Sequence, residues 1–319
     1  MAIFDNNKEL KAINSAFTTS FELDNIQSFL DDAIIKEITP AIGSATYTQL
    51  LSEKQGGISE GSSKAQLLHL LQKACLSIAL GNYAAFGSLQ IQDSGITVLS
   101  RENARPASDA KVTQLRKQSL SEGFDALELA IEFLEAHISE FPVYAVSEAH
   151  QNNRALFINS SKEFSEASAL PITAQVFNTL RSEIARVERD FIESLIGEPL
   201  TEDLRSKVRA KKAEDMDQKL LQRIRRTIAP LSLAGAIPYQ LLKIDSLGGF
   251  QFNDSEVLSS SNEQKLQMAM FRLNSRGEAE LASLTKWLNT NKDAFPSYAT
   301  GKVSSTNPSM YTAKNVYLI

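Results

Sequence analysis

The segment LDNIQSFLDDAIIKEITPAIG (Leu23–Gly43) and the segment FNTLRSEIARVERDFIESLIG (Phe177–Gly197) are two versions of one pattern, 154 residues apart. Ile26 stands opposite Leu180, Leu30 opposite Ile184, and Gly43 opposite Gly197. The same offset holds at distant landmarks: Gly81 with Gly235, Gly95 with Gly249, Gly123 with Gly277, and Phe141-Pro142-Val143-Tyr144 with Phe295-Pro296-Ser297-Tyr298. Over residues 9–145 it gives 22 identities in 137 pairs, where composition alone gives about nine. The chain reads as a tandem duplication with no gap needed between landmarks.

Each copy reads as a set of helices. Leu23, Ile26, Leu30, Ala33, Ile34 and Ile38 form an apolar stripe at helical spacing, and Gly43 or Gly197 supplies the left-handed residue that ends it. Thr19 and Thr173 are the candidate N-caps, and Thr19 has Glu22 three residues on. A short helical turn follows (Tyr47–Leu51; Leu200–Val208), then a long apolar helix over Lys64–Leu89, with its copy over Asp217–Leu242. The runs Ile91–Val98 and Ile244–Phe252 set β-prone residues around Asp, Ser and Gly, which predicts a hairpin in each copy. A polar loop then leads to a capping residue, Ser108 or Asn262, and to a second long helix that stops at Phe-Pro. Gly123 and Gly277 fall inside that helix at a cost of about 1 kcal/mol each relative to alanine, as expected where a helix bends or packs closely. The expected fold is mainly α: two helical-bundle units, 1–152 and 153–299, each with a short β-hairpin between its two long helices, and an extended tail over 300–319.

At 319 residues the chain can bury two ordinary cores without disulfide or metal staples. No apolar run approaches the roughly 18 residues of a membrane span, and the acidic start MAIFDNNKEL is not that of a signal peptide. Cys75, in LQKACLSIAL, reads as a buried, inert thiol. Residues 1–150 carry 11 basic and 19 acidic side chains and residues 151–319 carry 22 and 19. The halves are therefore −8 and +3, an asymmetry that bears on partners.

Chemistry is sparse. His69, His137 and His150 stand at no metal-ligand spacing from one another or from Cys75. The usual phosphate-cradle, nucleophile-elbow and zinc-helix motifs are absent, so neither an enzyme nor a cofactor is expected. Asp31-Asp32 and Glu163–Glu166 read as solvated faces. The densest charge lies in Arg205, Lys207, Arg209, Lys211, Lys212, Lys219, Arg223, Arg225 and Arg226, broken by Glu214, Asp215 and Asp217. It reads either as a solvated or intersubunit face or as a phosphate-binding strip of a nucleic-acid-binding regulator. The terminal Val316-Tyr317-Leu318-Ile319 reads either as packing on its own domain or as a strand or anchor for a partner.

The helix end Thr39-Pro40-Ala41-Ile42-Gly43, the turn Asp93-Ser-Gly-Ile-Thr-Val98, the lead-in Ala104-Arg-Pro-Ala-Ser-Asp109 and Glu132-Phe-Leu-Glu135 together resemble the head-tail connector or adaptor (head completion) proteins of tailed phages and prophages of Bacteroidetes-type hosts. That resemblance implies a structural virion protein, assembled in the host cytoplasm. It would form a homo-oligomeric ring between portal and tail proteins, away from any membrane, with a channel through which DNA passes unread. Twelve chains are preferred over six, since the portal match is then subunit to subunit. The expected contact residues are Ile96 and Val98, Phe250 and Phe252, Arg223, Arg225 and Arg226, and Tyr317, Leu318 and Ile319.

Overall fold

The computed structural model of the chain describes residues 3–15, 17, 21–84, 86–87, 89–92, 95–98, 107–237, 242–244, 250–252 and 260–298. For 89–92, 95–98, 242–244, 250–252 and 260–265 it describes the backbone alone. In the first unit, α1 (Asn7–Ile13) starts at Asn6, whose side chain accepts from the N–H groups of Lys8 and Glu9. A 3-10 turn (Leu23–Asn25) leads to α2 (Gln27–Ala33), which runs through a π segment (Ile34–Ile38) into α3 (Thr39–Ile42). Then come α4 (Ser44–Gly56), α5 (Ser63–Tyr83), α6 (Asp109–Ala136), α7 (Pro142–Ala145) and α8 (Glu148–Asn153). The second unit has α9 (Ser161–Ser168), α10 (Ala174–Val187), a π segment (Glu188–Glu193), α11 (Ser194–Ile196), α12 (Glu198–Ala210), α13 (Asp215–Ala236) and α14 (Ser260–Thr290).

The copies match in detail. α4 and α12 coincide at an offset of 154, and so do the 3-10 turns Ile138–Glu140 and Lys292–Ala294 that close each unit. The buried residues Ile26, Leu30, Ala33, Ile38 and Ile42 correspond to Leu180, Ile184, Val187, Ile192 and Ile196. Both rows step by four, three, five and four. The step of five is one residue too long for an α-helical stripe, and the π segment absorbs it, keeping Ile38 and Ile192 on the core side. Gly43 and Gly197 then turn the chain with φ of 85° and 82° and ψ of 138° and 151°. This is not the left-handed helical cap expected from the sequence; it lies close to an extended, positive-φ region reached almost only by glycine.

The ungapped offset hides two compensating changes. Along α5 the buried positions include Leu67, Leu71, Ala74, Cys75 and Ile78; along α13 they include Leu220, Ile224, Thr227, Ile228 and Leu231, a row matched at an offset of 153. Ten residues lie between the end of α4 and Leu67 and nine between the end of α12 and Leu220, and one residue is regained between the strands that follow. The β1 (Leu89–Gln92) and β2 (Gly95–Val98) ladder pairs Gln92 with Gly95, whereas that of β3 (Leu242–Ile244) and β4 (Phe250–Phe252) pairs Ile244 with Phe250. Gly81 and Gly235 are therefore not packing equivalents. A Cβ on Gly81 would meet Leu120 of α6, and one on Gly235 would meet Glu183 of α10.

The expected fold class needs correction at these strands. The body of each unit is helical, and the architecture is mainly α with a duplicated helical unit. Between the long helices the backbone contributes ladders of only four and three residue pairs, with no third strand beside them among the described residues, too small to stand as sheets of their own. Among the described side chains both cores are lined by helices and the loops that join them. β-branched residues around a Gly turn were too little to make a hairpin a member of the fold. Other expectations shift as well. Thr173 does cap α10, accepting from Val176 N–H; Thr19 lies outside the described residues, and α2 starts at Gln27. Ser108 precedes α6 with extended backbone, but α14 already begins at Ser260, so Asn262 is inside it.

The centre of each unit is the pair of long helices, α5 with α6 and α13 with α14. At Gly123 the helices come so close that an added Cβ would sit 2.6 Å from Ile78 Cγ1 and 2.8 Å from Ile78 N. At Gly277 it would overlap the Leu231 side chain, but Leu231 N is 3.4 Å away. A backbone obstacle cannot swing aside and a leucine side chain can. Gly123→Ala should therefore destabilise by about 2 kcal/mol or more, and Gly277→Ala by clearly less. Urea unfolding of the two variants, followed by far-ultraviolet circular dichroism, checks that order.

Candidate functional site

The basic segment predicted to carry contacts spans α12, the loop after it, and α13. Most of its cations are already engaged. Arg205 lies near Glu188, Glu193 and Glu202, and its guanidinium sits 5.7 Å from the Phe157 ring centre. Lys207 bridges Asp203 and Asp217 at 2.8 and 3.2 Å. Lys211 reaches the first unit, donating to the Glu135 backbone carbonyl at 2.8 Å. Arg223 covers the Trp287 ring at 5.1 Å. Arg225 donates to Phe157 O at 2.7 Å and pairs with Glu163 at 2.9 Å. Arg209, Lys212, Lys219 and Arg226 are exposed. Lys219, Arg225 and Arg226 line a cleft of about 340 Å³ with Glu163, Glu166 and Gln218. Its lining mixes both charges and holds no histidine or cysteine.

Beneath that segment lies a feature the sequence reading passed over. Glu188, in the π segment, is buried, with Oε1 accepting Phe157 N–H at 2.7 Å and Oε2 3.6 Å from Arg205. Burial raises its carboxyl to about 7, outweighing the Phe157 amide and the charges of Arg205 and Arg225. The signal was in the duplication itself: Ile34 and Leu51, both of the first core, have Glu188 and Arg205 as their counterparts. Two apolar positions in one copy became an oppositely charged pair in the other.

A second polar centre joins the units. Glu135, buried at the end of α6, accepts Tyr144 O–H at 2.9 Å and Arg154 Nε–H at 2.8 Å, and His150 Nδ1 lies 2.7 Å from it. Asn153 donates to Ala41 O and to the Tyr144 hydroxyl, fastening α8 against α3. Across the junction Glu128 of α6 accepts both the backbone N–H and the hydroxyl of Ser161. Arg181 donates to Asn152 O at 2.7 Å. The other histidines are apart: His137 stacks on Phe133, and His69 is exposed. Cys75 is buried, and desolvation pushes its thiol up to about 12. Asp32 pairs with Lys36, and Glu163 with Arg225. No group of three or more potential metal ligands occurs among the described residues, and no helix among them is long and apolar enough to cross a membrane.

Of the predicted contact residues, Arg223 and Arg225 are tied down within the second unit and Arg226 is exposed. Ile96, Val98, Phe250 and Phe252 lie on the short ladders with only their backbone described; Tyr317, Leu318 and Ile319 lie outside the described residues.

The Glu188 carboxyl gives a pH test. With its folded value above the ordinary 4.5, the folded chain keeps a proton that the unfolded chain releases. Stability from this group is complete below pH 4.5 and declines as pH rises towards 7, by on the order of 3 kcal/mol. Glu188→Gln should flatten that part of the decline, read from urea unfolding at pH 5 and pH 7.5. An equal decline in both proteins would contradict the assignment.

A family model describing a family of unknown function, DUF6712, matches the chain over residues 38–154 and again over residues 189–308. No curated protein and no solved structure matches it. The two matched stretches cover most of both helical units, and the chain belongs to this family of unknown function, with the family's unit present twice.

Proposed function

We propose that the chain is a structural virion protein, a head-tail connector or adaptor that assembles into a ring between the portal and the tail and leaves a channel for DNA. The observation that carries this reading is the form of the molecule: two copies of one helical body, joined through Glu128, Arg181 and Lys211, whose buried polar groups serve packing. The resemblance in the sequence supports it. Thr39–Gly43 forms the turn on which Ser147 and Ala149 rest, and Glu135 is the hub of the junction. Residues that mark the resemblance thus hold the body and its linkage in shape, as an assembly component requires.

The outer faces also fit an assembly component. Ile35, Leu129, Val146, Met268 and Phe271 are all more than half exposed, and apolar groups left outside are characteristic of contact surfaces. The basic segment gives less support to a nucleic-acid-binding regulator, since five of its nine cations are engaged within the chain and four remain exposed. Four exposed cations with no interleaved aromatic make a weak phosphate track.

Native mass spectrometry of the purified full chain at micromolar concentration tests the reading. The expected result is a closed ring, with twelve chains favoured. A monomer at every concentration would contradict it.

A further inference from the structure

The outward stripe of the last long helix has inverted its charge between the two copies. On α6, Gln118, Glu122, Asp125, Leu129 and Glu132 recur at intervals of four, three, four and three, and all are exposed. The equivalent residues on α14 are Arg272, Arg276, Ala279, Ser283 and Lys286, and all of these are exposed too. Glu122 thus stands where the other copy has Arg276, Glu132 where it has Lys286, and Gln118 where it has Arg272. Three and four residue spacing places each set along one side of its helix.

The stripes are exposed and border contacts within the chain: Asp125 and Glu132 lie one turn to either side of Glu128, and Arg276 reaches α9. α6 packs on α5 through Gly123, and its contacts with the second unit include Glu128 with Ser161 and Glu135 O with Lys211. Each stripe also carries apolar neighbours: Leu115 and Leu129 are 45% and 52% exposed, and Met268 and Phe271 beside Arg272 are 58% and 72% exposed. Asp125, Glu132, Arg272 and Lys286 have no hydrogen bond or ion pair from their side chains among the described residues. Some charge is used locally, since Gln118 donates to Glu122 and Arg276 donates to Ser168 O.

We propose that the α6 stripe of one chain docks on the α14 stripe of a second copy, the acidic face of the first unit meeting the basic face of the next chain's second unit. This rests on the ring reading and names its contact. Opposite charges at matched spacing attract, while two acidic or two basic stripes repel. The duplication therefore favours a head-to-tail joint over a joint between like units. A head-to-tail joint whose rotation closes is the geometry of a ring.

Charge reversal tests it. Asp125→Lys with Glu132→Lys makes both stripes basic, and Arg272→Glu with Lys286→Glu makes both acidic. Each protein, its helical circular dichroism unchanged, should associate at least tenfold more weakly than the wild type in sedimentation velocity. Mixing the two, or combining all four changes in one chain, should restore association. Wild-type assembly unaffected by either reversal would overturn the docking while leaving the ring reading standing. Restored assembly as a two-chain particle would support the docking and overturn the ring. A wild-type chain that stays monomeric would overturn both.

Discussion

The fold depends on how closely two long helices can approach. α6 lies against α5, and α14 against α13, so closely that a Cβ at Gly123 would meet the Ile78 backbone and one at Gly277 the Leu231 side chain. Glycine is unfavourable in a helix interior by about 1 kcal/mol, and the close contact it permits offsets that cost by bringing Ala74 and Ile78 in one unit, or Leu231 in the other, into the centre of the core. The remaining elements pack around this pair. α2 and α10 lay their stripes on it, and the π segments keep those stripes in phase until Gly43 or Gly197 turns the chain into the next helix.

Duplication fixed this body and left room for divergence around it. In the second unit an apolar pair became Glu188 and Arg205, so part of that core is held by a buried carboxyl whose proton affinity is raised. At the junction, Glu135 ties α7 and α8 back to α6, and Lys211 reaches it from the second unit. On the outside the stripe of the last long helix is acidic in one copy and basic in the other. The same frame thus carries two different buried chemistries and two opposite surfaces.

The sequence made the duplication, the helical character and the close approach at Gly123 and Gly277 legible, because identities at a fixed offset and breaks in periodicity are local signals. The shift of α13 was hidden, since a missing residue before the helix and an extra one after it cancel in the count; only the buried row from Leu220 to Leu231 exposes it. The step of five from Ala33 to Ile38 was visible but had no meaning without the π segment. Hairpins were over-read, because a β-prone run says nothing about whether a third strand will cover it. The Glu135 hub could not be read at all, as the turns that fold Tyr144, His150 and Arg154 back onto Glu135 leave no periodic signal in the sequence. Glu188 and Arg205 were readable by comparing the copies position by position.

The central claim is that two charge-inverted copies of one helical body build a closed assembly. Electron cryo-microscopy of the assembled full chain, averaged without imposed symmetry, tests it most directly. The account predicts a ring with an open channel in which the acidic unit of each chain sits beside the basic unit of the next. A two-fold dimer pairing first unit with first unit, or an open filament, would contradict it.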